Sequence, residues 1–172
     1  MAVSEDIKYG KIFENKIKDA TTGFENQYPV RITKIVDSFT AGNVIGKADS
    51  DFRLQIRSQI SDAPYVIYLE AKATVRDIDF AGAFRGIVAR QYAAMVMNMR
   101  AGAGCCYFMW HVNKNHFEVW DAGLISQYFS KPRVRIDGHA AFTIAIGNLE
   151  TFMRQIVTNP THFLEGLRST RQ

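Results

Sequence analysis

The segment Asp51-Phe52-Arg53-Leu54-Gln55-Ile56-Arg57, the turn formers Ser61-Asp62-Ala63-Pro64, and the run Tyr65-Val66-Ile67-Tyr68-Leu69-Glu70-Ala71-Lys72 decide how this chain folds. The first segment alternates strictly. Phe52, Leu54 and Ile56 fall on one side and Asp51, Arg53, Gln55 and Arg57 on the other, the period of a strand with one polar face. Residues 65–69 are continuously apolar, as expected of a central strand covered on both faces, with Glu70 and Lys72 at its end.

Upstream, residues 4–20 read as a helix. Ser4 is placed as its N-cap, Glu5 and Asp6 stand in the first turn where the helix dipole favours acids, and Ile7, Gly10, Phe13, Ile17 and Ala20 recur at helical spacing as a buried face. Glu14 borders that face. Residues 21–50 are rich in turn formers, with a short strand expected at Val30–Val36, and read as a long connection of the kind that is usually functional or mobile. Downstream, Phe84, Val88, Met95 and Met99 form one helical stripe across 81–100, closed by Gly102 and Gly104. A strand at Cys105–Val112, a turn at Asn113-Lys114-Asn115 and a strand at Phe117–Asp121 follow. Weaker strands are expected at Arg133–Ile136 and Phe142–Ile146, then helices near 149–157 and 160–168, the last with Asn159 as N-cap and Pro160 at its first position. This order predicts an α/β fold with a mixed central sheet flanked by helices, formed as one domain over residues 1–172.

Composition narrows the class without choosing it. The chain is 47% hydrophobic and 22% charged, which argues against both disorder and a membrane-embedded class. Acids in MAVSEDIKYG do not suit a secretory signal, so a cytoplasmic location is expected, the host cytoplasm if the source is a phage. Cys105 and Cys106 are adjacent in an apolar strand and read as core residues. The net charge of +4 permits a polyanionic partner. His111, His116, His139 and His162 show no zinc-like spacing and are read as structural. No glycine-rich loop follows a strand and opens a helix, so no nucleotide cofactor is expected.

Alternation puts Glu70 and Lys72 on one face of their strand and Ala71 on the other. If the strands of residues 51–57 and 65–72 pair as a hairpin, the Asp51 carboxylate approaches Glu70. Two convergent carboxylates suit Mg²⁺, which takes oxygen ligands and is commonly completed by substrate phosphate, and a neighbouring lysine can stabilise developing charge or assist an attacking water. The chemistry this pattern points to is in-line phosphodiester hydrolysis. A second Glu-x-Lys, Glu14-Asn15-Lys16, lies in a helix, where residues two apart face different directions. Asp49 competes with Asp51 for the upstream acid, but lies outside the alternation. Gln91 falls within the helical stripe, where it is either a satisfied helix residue or a partner of the reaction centre. A plain ion pair between Glu70 and Lys72 is the alternative to a catalytic one.

Together these residues resemble the PD-(D/E)xK nuclease superfamily, with Ser50 where the nominal motif has proline. A closer similarity, to RecU-like and phage Holliday-junction resolvases, is carried by Gly10-Lys11-Ile12-Phe13-Glu14, Ser50-Asp51-Phe52, Glu70-Ala71-Lys72-Ala73-Thr74 and Arg90-Gln91, across residues 10–121. The resemblance implies a restriction-endonuclease-like sheet and a Mg²⁺-dependent enzyme, with Mn²⁺ as a substitute, acting as a homodimer on branched DNA in recombination and repair. It assigns Glu14, Asp51, Glu70, Lys72 and Gln91 to the catalytic centre and Asp51, Glu70 and Ala71 to the metal. It also makes residues 24–48 a protruding connection that contacts DNA, with Arg31, Lys34, Lys47, Arg53 and Arg90 on phosphates. A restriction-type or repair nuclease on linear duplex, and a DNA-binding module without catalysis, are the alternatives.

Overall fold

The computed structural model describes residues 2–35, 38–40, 43–46, 50–58, 63–75, 89–129 and 140–170. In chain order the elements are α1 (Ala2–Ala20), α2 (Phe24–Gln27), β1 (Val30–Lys34), β2 (Ser38–Thr40), β3 (Asn43–Gly46), β4 (Phe52–Ile56), β5 (Tyr65–Thr74), α3 (Ala89–Arg100), β6 (Gly104–His111), β7 (His116–Asp121), α4 (Ala122–Phe129), β8 (Phe142–Ala145), α5 (Leu149–Thr158) and α6 (Pro160–Ser169). Six strands form a mixed sheet in the order β1-β4-β5-β6-β7-β8, in which only β5 and β6 run parallel, while β2 and β3 form a separate hairpin. The chain is thus α/β, with helices packed on both faces of the sheet.

Alternation along β6 explains why all eight of its residues are buried. Cys106, Phe108 and Trp110 join the larger core, with Phe13 and Ile17 of α1 and the apolar faces of α5 and α6, whereas Cys105, Tyr107 and Met109 join a second core with Met95 of α3 and Leu124 and Ile125 of α4. Both cysteines are buried thiols outside any disulfide, as the sequence indicates. Gly104 starts β6 where α6 comes closest, since a Cβ there would stand 2.3 Å from Leu164 Cδ2. Gly102 ends α3 at φ 93°, and Asn115 turns the β6–β7 connection at φ 55°. The Asn159 side chain accepts the His162 N–H at 3.3 Å with Pro160 at the first helical position, so this cap is as read.

Several expectations need correction. Ser4 lies within α1, which begins at Ala2, so it is no N-cap. Ile7 is 71% exposed: it sits roughly 80–120° around the helix from Ile17 and Phe13, and Tyr9, one turn before Phe13, takes its place with an edge contact to Trp110. Within the connection at 24–48, the strand expected at Val30–Val36 forms as Val30–Lys34, and it is part of the main sheet and no protrusion, with Val30 and Ile32 opposite Ile56 and Leu54. β5 does not stop at Lys72; it continues to Thr74 because β6 pairs with it through His111. Residues 122–129 form a helix that the reading omitted, capped by the Asp121 carboxylate on the Leu124 N–H at 3.0 Å. Asp49, Phe84, Val88 and the strand expected at Arg133–Ile136 lie outside the described residues. Among the described residues no helix is long and apolar enough to cross a membrane.

α1 is held to the sheet by Phe13, fully buried against the rings of Trp110 and Phe117 at centroid distances of 5.7 and 5.8 Å. Phe13→Ala should cost about 3–5 kcal/mol in urea unfolding through the cavity it leaves; a loss below 1 kcal/mol would contradict this packing.

Candidate functional site

β4 and β5 pair antiparallel with Phe52 opposite Leu69 and Leu54 opposite Ile67. Asp51, the residue before β4, reaches the same end of the strand pair as Glu70, so its carboxylate approaches Glu70 as the hairpin expectation has it. It is tied twice to β5: the Asp51 N–H donates to Leu69 O at 3.1 Å, off the regular ladder, and the Ala71 N–H donates to Asp51 Oδ2 at 2.7 Å. Ala71 turns its methyl into the larger core, so beyond the N–H given to Asp51 only its carbonyl oxygen remains as a ligand atom. Ser50, at the position of the nominal proline, is buried and donates to Phe52 O at 3.3 Å.

Glu70 is 1% exposed. Its Oε1 accepts from Lys72 Nζ at 2.5 Å and from Gln91 Nε2 at 3.0 Å, whereas its Oε2 is buried without a hydrogen-bond partner. Burial pushes the carboxyl up to about 7. Lys72 opposes the rise and the Asp51 carboxylate adds to it. Burial likewise raises Asp51, with the charge of Glu14 adding to it and the Ala71 N–H, Lys72 and Lys34 opposing. Gln91, half-buried on α3, is therefore a partner of the acid centre and not merely a satisfied helix residue. Tyr107 stands beside Glu70 in the parallel ladder, and burial, then the Glu70 charge, lifts its phenol well above the ordinary range.

Glu14 is engaged on the α1 side of the sheet. Its Oε2 takes Lys34 Nζ at 2.7 Å and Lys11 Nζ at 3.0 Å, and although burial would raise its carboxyl, the two lysines hold it below the usual value. Its charge still reaches Asp51 and Glu70. Lys34 stands opposite Phe52, which turns it to this side, and it lies 5.9 Å from the Phe52 ring centre. Lys34 is thus a partner of Glu14 at the end of a sheet strand, where the sequence reading had it on a protruding loop. The second Glu-x-Lys diverges as expected, with Lys16 Nζ over the Trp110 ring.

Of the other basic residues, Arg31 is exposed on β1, and Arg53 is half-buried on β4 with its Nε buried and lacking a hydrogen-bond partner. Opposite Gln55 and Tyr68 respectively, both belong to the face that carries Asp51 and Glu70. Arg90 lies in the first turn of α3 beside Gln91, and Lys47 lies outside the described residues.

Sequence reasoning missed two features. Lys11, quoted only as part of a motif, is a partner of Glu14. His111 and His116, read as structural for want of zinc-like spacing, and Glu118, which the sequence analysis does not single out, are brought together by the β6–β7 pairing, with His111 opposite His116 and Glu118 two residues further on the same face. The turn at 113–115 was the signal, because a hairpin closed there sets residue 111 against 116.

No protein-family model matches the chain, and no curated protein matches it.

The buried acid centre has a signature in stability. Between pH 4.5 and about 7 the folded chain keeps a proton on Glu70 that the unfolded chain has released, so this residue makes stability fall as pH rises through that window. Urea denaturation from pH 5 to 8 should show that decline in the wild type and a flatter profile in Glu70→Gln. Parallel profiles would show that the group is not perturbed.

Proposed function

We propose that this chain is a Mg²⁺-dependent endodeoxyribonuclease with a restriction-endonuclease-like core, which cuts branched DNA by in-line hydrolysis of a phosphodiester. The observation that carries the reading is the approach of Asp51 to Glu70 at the end of the β4–β5 pair, with Lys72 and Gln91 both on Glu70. A buried carboxylate beside a second, half-buried one resists ionisation, which is costly for the fold unless a cation serves them.

The residues suit a hard divalent cation. Glu70 Oε2 is a buried oxygen with no hydrogen-bond partner, Asp51 offers carboxylate oxygen beside the end of β5, and the carbonyl of Ala71, next to Glu70 in the strand, is a third oxygen. Bound there, Mg²⁺ would supply Lewis-acid charge to a phosphate oxygen and orient a water. Lys72, about one-third exposed at its side chain, brings a positive charge to the acid pair, where it can stabilise charge developing on the phosphate or assist the attacking water. Gln91 fixes Glu70 Oε1 from the helix side, so Oε2 is left to face the ion. Glu14, neutralised by Lys11 and Lys34, is a positioning residue for this centre. Arg31 and Arg53, on the acid-bearing face, are the phosphate contacts closest to it in register.

Branched DNA as substrate, with Holliday junctions foremost, and a homodimer presenting two active sites follow from the similarity to junction resolvases. The β2–β3 hairpin, next in sequence to β1, is the segment assigned to the branch.

With a labelled four-way junction and Mg²⁺, the wild type should cut, and Asp51→Asn, Glu70→Gln and Lys72→Ala should each lose about 100-fold or more in rate. Full activity in these variants would remove the assigned centre. Preference for linear duplex over the junction would indicate a restriction-type or repair nuclease. Salt-sensitive DNA binding without Mg²⁺-dependent cutting would indicate a binding module.

A further inference from the structure

The geometry points to a second, separate metal site, formed by His111, His116 and Glu118 at the turn end of the β6–β7 hairpin and suited to a divalent transition ion of the Zn²⁺ class. It does not depend on the nuclease reading.

The three side chains share one face because of register. His111 pairs with His116, and Glu118 pairs with Met109, so His111, His116 and Glu118 all project on the side of Tyr107 and Met109. His111 Nε2 lies 3.1 Å from Glu118 Oε2, His116 Nε2 lies 3.8 Å from Glu118 Oε1, and one ligand atom from each residue falls within 4.8 Å of the others. The ligand atoms of a tetrahedral ion with bonds of about 2.0–2.1 Å stand roughly 3.3–3.4 Å apart, so small side-chain rotations complete the set.

Two further observations favour an ion over a simple histidine–glutamate pair. The His111 side chain is 6% exposed; its Nδ1 has no hydrogen-bond partner, and its Nε2 faces the Glu118 carboxylate, with Oε2 at 3.1 Å. That separation is close to the edge of a tetrahedral ligand set, and a buried imidazole with a nitrogen left unpartnered is costly in a purely structural pair. Moreover, Trp120 Nε1 donates to Glu118 Oε2 at 2.9 Å, which is the outer hydrogen bond that orients a ligating carboxylate.

The donor set selects the ion. Two imidazole nitrogens and one carboxylate match Zn²⁺, with a fourth position left to water, whereas Mg²⁺ prefers an all-oxygen octahedron. The acid pair of β4–β5 has only oxygens to offer, so the two sites should sort ions by chemistry. The histidine site clasps both strands of a hairpin, and occupancy should stabilise the fold.

The test is titration of the purified, metal-stripped chain with Zn²⁺ by calorimetry, and with Co²⁺ by visible absorption, in excess Mg²⁺ and in the Glu70→Gln background. The first condition keeps Mg²⁺ at any oxygen site, and the second removes a ligand of the acid pair. We expect one Zn²⁺ per chain, a Co²⁺ spectrum of four-coordinate intensity, and a rise in Tm of roughly 5–10 °C at one hundred times Kd. His116→Ala and Glu118→Gln, both at partly exposed positions, should abolish all three while leaving the far-ultraviolet dichroism unchanged. Absence of stoichiometric binding, or its persistence in both variants, would overturn the proposal. Binding that survives Glu70→Gln but not His116→Ala supports this site whatever the outcome of the DNA cleavage assays.

Discussion

The register between β4 and β5 is the constraint on which the acid centre depends. Phe52, Leu54 and Ile56 enter the larger core, as do Ile67, Leu69 and Ala71, and the antiparallel pairing of β4 with β5 buries all six. A slip of one residue would turn every side chain of β4 to the opposite face. The apolar residues that fix the faces therefore also bring Asp51 to the end of β5 that carries Glu70, and the Ala71 N–H closes the arrangement on Asp51. Core packing and site geometry are here one requirement.

Electrostatics runs against that requirement. Burial raises both acids, with the charge of Glu14 adding at Asp51 and the charges of Asp51 and Glu14 adding at Glu70, and Lys72 with Gln91 satisfies only one oxygen of Glu70. Perturbed, incompletely satisfied carboxylates of this kind cluster at functional sites, because a structural role would favour full pairing or an apolar replacement. Glu14 shows the contrast within the same molecule: paired by two lysines, it is held below the usual carboxylate value. Glu14 and Glu70 thus differ as a carboxylate paired by two lysines differs from one with a buried oxygen left unpartnered.

Much of this was legible in the sequence. Strict alternation at 51–57 and the apolar run at 65–69 gave the central hairpin, and the same alternation preferred Asp51 and put Glu70 with Lys72 on one face. Where the reading went astray, tertiary packing overrode a local signal. The end of β5 depended on a parallel partner, His111 opposite Thr74, and no local feature of Lys72-Ala73-Thr74 announces it. β1 was legible as the short strand expected at Val30–Val36, but not its place at the sheet edge, which its pairing with β4 sets. Ile7 was assigned to a buried face by spacing alone, although the helical angle carries it away from Phe13. The histidines were judged by the ligand spacings of helices and fingers, while a hairpin brings residues together at distances set by its turn. The helix after β7 was signalled by Asp121, whose capping role becomes visible only once the strand is known to end there.

The central claim is that the approach of Asp51 to Glu70 exists to hold a hard divalent cation. The most direct measurement is anomalous diffraction from crystals of the protein soaked in Mn²⁺, as a scattering substitute for Mg²⁺. The account predicts a peak between the Asp51 carboxylate and Glu70 Oε2, lost in Glu70→Gln. A well-ordered wild-type structure with no peak there, or one unchanged by that substitution, would contradict it.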